Sequence, residues 1–363
     1  MKINPNQLDR GYLEYKNEYD EAAIRVLQSG WYVLGKEVER FENEFKNYMG
    51  SNYCVGLNSG LDALILAFRS LGIGYGDEVI VPANTYIASV LGITENQAIP
   101  IFVEPDDYYN IDANKIEKAI SLRTKAILVV HLYGQAANMA KIKEIAKRHN
   151  LYLVEDCAQS HGAKYQDKAT GAWGDIGCFS FYPTKNLGAF GDAGCIITNN
   201  LEIYEKIHML RNYGSKIKYH NEILGINSRL DEVQAALLNV KLSHYDELKS
   251  KRKELAEIYL GKIKNEKIEL PKIREGAEAI WHLFVIKVSE RDMLKEYLSM
   301  HNIGTQIHYP IPPHLSKAYG YLGYKVGDFP ITEKYANTLI TLPLYDGMTE
   351  EEIMYVIDVI NSY

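Results

Sequence analysis

Between Tyr53 and Thr198, short apolar runs alternate with stretches of helical periodicity, and this alternation leaves few folds open. Ile99–Val103 and Ala126–Val130 are uninterrupted apolar runs. Such runs mark parallel strands buried on both faces. Tyr53–Leu57, Val79–Pro82, Tyr152–Asp156, Ile176–Phe181 and Gly194–Thr198 read as further strands. Leu61–Phe68, the segment through Leu91 and Ile93, Ile116–Ile120, Ile142–His149 and Ile203–Arg211 read as helices. The pattern predicts an α/β domain with helices on both faces of its sheet. Tyr19–Ser29 and Val38–Met49 are helices before it, the second with Val38, Phe41, Phe45 and Tyr48 on one face. After it, a loop from Gly225 feeds a long helix that continues past Leu255, with Asn227 as the N-cap candidate. Trp281–Val288 alternates like a half-buried strand, and Glu290–His301 and Ile353–Ile360 read as helices of a smaller C-terminal domain. The expected division is a large domain over residues 1–230, a linking helix over 231–262 and a small domain over 263–363.

Composition narrows the partners. A net charge of −7 disfavours nucleic acid or an anionic membrane as the main partner, while leaving room for a local phosphate pocket. The four cysteines, Cys54, Cys157, Cys178 and Cys195, form no C-x-x-C and sit in apolar contexts. They read as core filling in a reducing compartment, with no metal site expected. The N-terminus carries no apolar leader and no run reaches membrane-spanning length, so a cytoplasmic protein is expected.

Three stretches carry chemistry. The turn Asn58-Ser59-Gly60 lies between a strand and the helix that opens at Leu61. That geometry aims free backbone N–H groups at an anion, and it equally suits an ordinary N-cap by Asn58 or Ser59; both hold together. Gly72–Glu78, G-I-G-Y-G-D-E, is superficially like a dinucleotide loop, but it follows a helix and precedes a strand, the reverse of that fingerprint. NAD is therefore excluded. Lys185 stands between the apolar run Ile176–Phe181 and a glycine-rich turn ending at Gly194. Desolvation there lowers an amine's pKa and makes it nucleophilic. About thirty residues upstream, an apolar strand ends in Asp156. A strand-terminal Asp followed by a lone Lys is the pattern of a pyridoxal phosphate site, the Asp facing the ring nitrogen and the Lys forming a Schiff base.

The segments Glu155–Gly162 (E-D-C-A-Q-S-H-G) and Ser180–Gly194 (S-F-Y-P-T-K-N-L-G-A-F-G-D-A-G) carry a resemblance to the DegT-type sugar-nucleotide aminotransferases. These are fold-type I pyridoxal phosphate enzymes, and the resemblance runs from Ser29 to the C-terminal helix. It implies a large domain with a mostly parallel mixed sheet flanked by helices, plus a smaller C-terminal α+β domain. It implies that Lys185 is the catalytic lysine. The cofactor phosphate would be gripped by Gly60 and Leu61 through their backbones, by Ser59 and by the Ser180 hydroxyl. Tyr86 would stack on the ring, Asp156 pair with its nitrogen and Gln159 reach its hydroxyl. Asn227 would cross a homodimer interface to the other subunit's phosphate, giving shared active sites. His308 and Tyr309, in the proline-rigid loop Thr305–His314, would contact the nucleotide-linked keto-sugar. Arg229 has two readings, an anion contact in the substrate site or a structural ion pair. Dehydratase relatives carry histidine at the lysine position, so Lys185 favours amino transfer.

The substrate expectation is narrower. Asn84–Ser89 (N-T-Y-I-A-S) with His131–Gln135 (H-L-Y-G-Q) is similar to enzymes that aminate C3 of a dTDP-linked 3-keto-6-deoxyhexose, with L-glutamate as donor. The alternative is C4 amination of a nucleotide 4-keto-6-deoxysugar. A non-catalytic, cofactor-binding regulatory protein is the alternative from another class; no DNA-reading segment is present to favour it.

Overall fold

The computed structural model describes residues 1–363. Seven strands build one large sheet: β1 (Tyr53–Leu57), β2 (Glu78–Pro82), β3 (Ile99–Val103), β4 (Thr124–Val130), β5 (Tyr152–Asp156), β6 (Ile176–Ser180) and β7 (Gly194–Thr198). Their spatial order is β1-β7-β6-β5-β4-β2-β3. The strands from β3 to β6 pair in parallel, and β7 alone runs antiparallel to its two neighbours. The mostly parallel mixed sheet is the one expected.

Strand alternation divides the side chains between two cores. Val81, Leu128, Val154 and Ile196 enter one, beneath helices Gly60–Ser70, Ile87–Thr94 and Leu201–Leu210. Ile80, Ile127 and Leu153 enter the other, beneath helix Met139–Arg148. On that second face Phe179, Cys195 and Ile197 also meet helices Lys36–Met49 and Glu232–Ser243. Burial on both faces is why these strands read as continuous apolar runs. All four cysteines are buried and unpaired, as core residues.

A third core is built on a three-stranded antiparallel sheet of Ile268–Glu269, Phe284–Val288 and Leu339–Leu342. Helices Arg291–Met300 and Glu350–Ser362 pack on it, and so does Ile3 from the N-terminus. Ile3 pairs with Ile303, and Ala277–Glu278 pairs with Lys164–Tyr165 beside the large sheet.

Three local expectations are corrected. The long helix after the Gly225 loop is two helices, Glu232–Ser243 and Tyr245–Lys262. His244 leaves helical geometry between them, its ring stacked on Tyr15 at 3.9 Å and its Nε2 3.0 Å from Glu18. The N-cap of the first is Asp231, not Asn227. Residues 227 and 231 are held extended by bridges to Asn212 and Val33, so the helix cannot start earlier. Ile116–Ile120 shortens to a single 3₁₀ turn, Glu117–Ala119. Only Ile116 of that stretch is fully buried, and one apolar contact does not sustain a longer helix.

Candidate active site

The parallel strands β2, β4, β5 and β6 all end at one edge of the sheet, and ligands of open α/β sheets bind outside such ends. A cavity of about 500 Å³ lies there. Asp156 is the last residue of β5 and Ser180 the last of β6. Five residues after Ser180 the chain turns, and the Lys185 N–H bonds the Tyr182 carbonyl at 2.8 Å. Gly188 lets this turn close, because a Cβ there would lie 2.4 Å from the Pro183 oxygen.

Facing Lys185 is the start of helix Gly60–Ser70. The Ser59 hydroxyl caps it, accepting the Asp62 N–H at 3.1 Å. The first helical N–H groups, at Gly60 and Leu61, have no acceptor within the helix. Ser180 packs directly against them: a Cβ on Gly60 would lie 2.5 Å from Ser180 Cβ. Two amides and a hydroxyl thus share one small volume, the donor set a phosphate monoester takes.

Ser59, Gly60, Leu61, Tyr86, Asp156 and Gln159 all line the cavity. Ser180, Lys185, His308 and Tyr309 line it as well. Asn227 and Arg229 do not. Asn227 bridges Asn212 through the backbone, and Arg229 donates to Asn212 Oδ1 at 3.0 Å with its guanidinium over the Tyr213 ring.

Lys185 is half-buried, because its side chain borders the void while protein encloses the amine elsewhere. That burial lowers its pKa to about 8 against the pull of Asp156. Three histidines near it are held neutral, each by burial first and the Lys185 charge second. His161 is pushed down to about 3, His308 down to about 4, and His282 well below the usual imidazole range. No competing cation therefore crowds the lysine from these positions. Asp156 is buried, which raises its pKa; the Ser89 hydroxyl at 2.7 Å and the Ala158 N–H at 3.1 Å oppose this, with Lys185 and His131 beyond them.

Gln159 is fixed from behind. Its Oε1 accepts the Tyr133 N–H at 2.7 Å, so Nε2 turns to the cavity and donates to the Tyr309 hydroxyl at 3.0 Å. Tyr86 and Tyr309 bring their rings to 5.1 Å. His308 Nδ1 is 2.7 Å from Thr341 Oγ1, and the Tyr133 hydroxyl donates to the His308 carbonyl. The loop carrying His308 and Tyr309 is thereby tied to strand Leu339–Leu342 and to the turns that follow β4 and β5.

Sequence reading missed Ser89, Arg252 and the N-terminal segment. Pro5 and Asn6 line the cavity because Ile3 is strapped to Ile303. Arg252 donates four hydrogen bonds, to the carbonyls of Trp281, His282 and Leu344 and to Asp346, tying these segments to the cavity wall. Only the Ser at the end of N-T-Y-I-A-S carried any signal.

The profile of the DegT/DnrJ/EryC1/StrS aminotransferase family matches residues 14–361. The chain belongs to this family. Among its relatives, a dTDP-3-amino-3,6-dideoxy-alpha-D-galactopyranose transaminase of Aneurinibacillus thermoaerophilus is 52% identical over 352 residues, 97% of this chain and 96% of the relative. A dTDP-3-amino-3,4,6-trideoxy-alpha-D-glucose transaminase of Streptomyces venezuelae is 46% identical over 98% of this chain and 94% of its own length. The crystal structure of S. venezuelae DesV superposes with a TM-score of 0.98 at 45% identity, covering 99% of this chain and 98% of that one. That of Bacillus subtilis ntda with bound cofactor PMP gives 0.90 at 32%, covering 98% and 83%.

This DegT-family enzyme is a pyridoxal phosphate-dependent aminotransferase. Its residues fit that cofactor: a buried carboxylate for the ring nitrogen, an amine of lowered pKa for the aldehyde, and the Gly60–Ser180 cradle for the phosphate. When bound, the cofactor's protonated ring accepts the electron pair left as a proton departs an amino-acid α-carbon. No helix is long and apolar enough to cross a membrane.

Proposed function

We propose that the protein transfers an amino group from L-glutamate to C3 of a dTDP-linked 3-keto-6-deoxyhexose. The observation that carries the regiochemistry is that the relatives at 52% and 46% identity are both dTDP-3-amino-sugar transaminases. The galacto name of the first supports a dTDP-linked 3-amino-3,6-dideoxygalactose product.

In this reading Lys185 Nζ anchors the cofactor. It then moves a proton off the amino-acid α-carbon in the first half-reaction and onto C3 of the sugar in the second. Positioned acid–base catalysis of this kind typically contributes about 10²–10⁴-fold. Asp156 keeps the proton on the ring nitrogen, Gln159 Nε2 donates to the ring hydroxyl, and Tyr86 covers the ring face. Ser59, Gly60, Leu61 and Ser180 hold the phosphate. His308 and Tyr309 orient the sugar.

Asn227 and Arg229 lie outside the cavity of their own chain, which supports a homodimer whose Gly225 loop serves the other subunit's site. Exposed aromatic side chains at Trp31, Tyr32, Phe190, Tyr213 and Tyr219 suit such an interface. Cytoplasmic residence is part of the same reading, and four unpaired buried cysteines agree with a reducing compartment.

Two relatives bear regulatory names, one from Saccharopolyspora erythraea at 45% and one from Geobacillus stearothermophilus at 40% identity. A regulatory reading gives no work to an amine poised near neutral pH inside a cavity, so we favour catalysis.

A single-turnover measurement tests the proposal. The enzyme is converted with L-glutamate, freed of amino acid, and given a dTDP-3-keto-6-deoxyhexose of either C4 configuration or a dTDP-4-keto-6-deoxyhexose. Return of the visible cofactor absorption with the 3-keto galacto sugar alone is expected. Return with the 4-keto sugar alone overturns the C3 assignment.

A further inference from the structure

Asp156 is the end of a chain of hydroxyls. Ser89 donates to its Oδ2 at 2.7 Å, and Thr85 Oγ1 lies 2.7 Å from Ser89 Oγ. Ser89 and Thr85 are almost completely buried, with 1% and 2% of their surface exposed. An ionised carboxylate only accepts, so Ser89 must be its donor, and Thr85 must then donate to Ser89. The direction of the whole chain is set by the charge on Asp156. If the carboxyl takes a proton, the chain reverses: Asp156 donates to Ser89 and Ser89 to Thr85. A hydroxyl can bond either state, but its bond to the charged carboxylate is the stronger, while an alkyl group bonds neither.

The local sequence builds this chain. Ser89 lies in the first turn of helix Ile87–Thr94, and Thr85 lies in the bend before its extended N-cap Tyr86, which brings the two hydroxyls together. The pair looks onto the end of β5. The Ala158 N–H bonds Oδ1, so Ser89 is what fixes Oδ2. Other charged or titratable groups around Asp156 come from different elements: Lys185 and His131, which favour its ionised form, and Tyr309, Cys157 and Cys178. His131 is itself committed to Glu155, at 2.9 Å. Ser89 is thus the nearest donor outside β5 and its own turn.

We infer that Ser89, backed by Thr85, is a positioning residue for amino transfer: its hydroxyl holds the Asp156 carboxylate ionised and aimed at the cofactor's ring nitrogen. This rests on the cofactor reading of the site. Ser89 never touches the reacting atoms, and its effect passes through Asp156. Burial raises the Asp156 pKa and the Ser89 hydroxyl is the first influence opposing it, which agrees in direction with the geometry.

The test compares Ser89→Ala, Ser89→Thr and Thr85→Val holoenzymes in three measurements: cofactor dissociation constant, pH titration of the bound cofactor's visible band, and kcat and KM for glutamate. A hydrogen bond to a buried charge predicts that Ser89→Ala loses about 10- to 100-fold in kcat, with KM for glutamate within about threefold. The visible-band midpoint should move upward, and the cofactor should bind more weakly. Thr85→Val, which keeps the shape, should show the same shift at smaller size. Ser89→Thr should restore both the midpoint and kcat. Wild-type midpoints in Ser89→Ala and Thr85→Val overturn the inference, including when kcat falls, because a packing defect would lower activity without moving the titration. A failure of the cofactor reading would look different, since the wild-type protein would then show no visible band. If Ser89→Ala does not fold, Thr85→Val decides alone.

Discussion

Glu155 and Asp156 stand side by side at the end of β5, and strand alternation turns them to opposite faces of the sheet. Both are buried carboxylates. Glu155 is saturated: it accepts the N–H groups of Gly171, Trp173 and Gly174 at 2.7–2.8 Å and faces His131 Nε2 at 2.9 Å. The Ala137 N–H bonds His131 Nδ1, so Nε2 carries the proton and donates. Asp156 has two donors and opens onto the cavity. A carboxylate with every lone pair occupied is a structural tie, and one with spare acceptor capacity beside a void is equipment for a ligand. His131 and Glu155 hold each other and backbone amides, in a cluster whose potential ligand atoms, with Cys157 Sγ, lie within 4.8 Å of one another.

Substitutions on the two faces should separate activity from stability. On the cavity face, Lys185→Ala should abolish turnover and the visible cofactor band, and Asp156→Ala should lower kcat by about 10³-fold or more by removing the charge opposite the ring. Neither should lower the urea midpoint. On the other face, Glu155→Ala strands His131 and three backbone N–H groups. With roughly 1–3 kcal/mol for each orphaned donor, a loss of several kcal/mol is expected. Urea melts and steady-state rates on the three variants check the pattern. A Glu155→Ala protein that melts like wild type would refute the distinction.

A second prediction sharpens the cavity side through pH. The native Lys185 pKa of about 8 lies below its ordinary value of 10.5. The charged amine is therefore penalised in the folded state. That penalty is fully present below pH 8 and fades as pH rises toward 10.5. Lys185→Met should stabilise the cofactor-free protein at pH 7, by on the order of 1–3 kcal/mol, with the gain vanishing near pH 10.5. In the wild type, covalent capture of pyridoxal phosphate by cofactor-free enzyme needs the neutral amine. Its rate should rise with pH through a midpoint near 8. A midpoint near 10 would mean the amine is solvated.

The two faces also differ in how far the sequence announced them. Strand ends, small residues and a lone lysine are local signals, so Asp156, Ser180, Lys185 and the Gly60 turn are legible in the order of residues alone. The sheet is legible for a similar reason, since burial on both faces leaves unbroken apolar runs. What stays hidden depends on contacts between distant segments. Glu155 is bonded by amides sixteen to nineteen residues away, and Gln159 is oriented by an amide twenty-six residues upstream. Asn6 reaches the cavity only because Ile3 pairs across the chain with Ile303. The break at His244 has the same origin, as Tyr15 and Glu18 pull the ring out of a stretch with good helix propensity.

The smallest expected effect concerns residues that fall on neither face. Asn227 lies outside its own chain's cavity, and the homodimer reading assigns it to the other subunit's phosphate. Losing one such hydrogen bond should weaken cofactor binding by about tenfold. Asn227→Ala alone cannot distinguish a contact within the chain from one across an interface, but mixing can. Lys185→Ala and Asn227→Ala proteins are dissociated together, reassociated and assayed at limiting cofactor. If Asn227 acts across the interface, each mixed dimer carries both lesions in one site and none in the other, so random reassortment of a symmetric dimer restores about a quarter of wild-type sites. If it acts within its own chain, each mixed dimer holds one dead and one weakened site, and activity stays at the average of the two parents. Recovery above that average at limiting cofactor, disappearing when cofactor saturates the Asn227→Ala parent, would tie the Gly225 loop to the neighbouring subunit. Its absence would return Asn227 to the ordinary role its bridge to Asn212 already gives it.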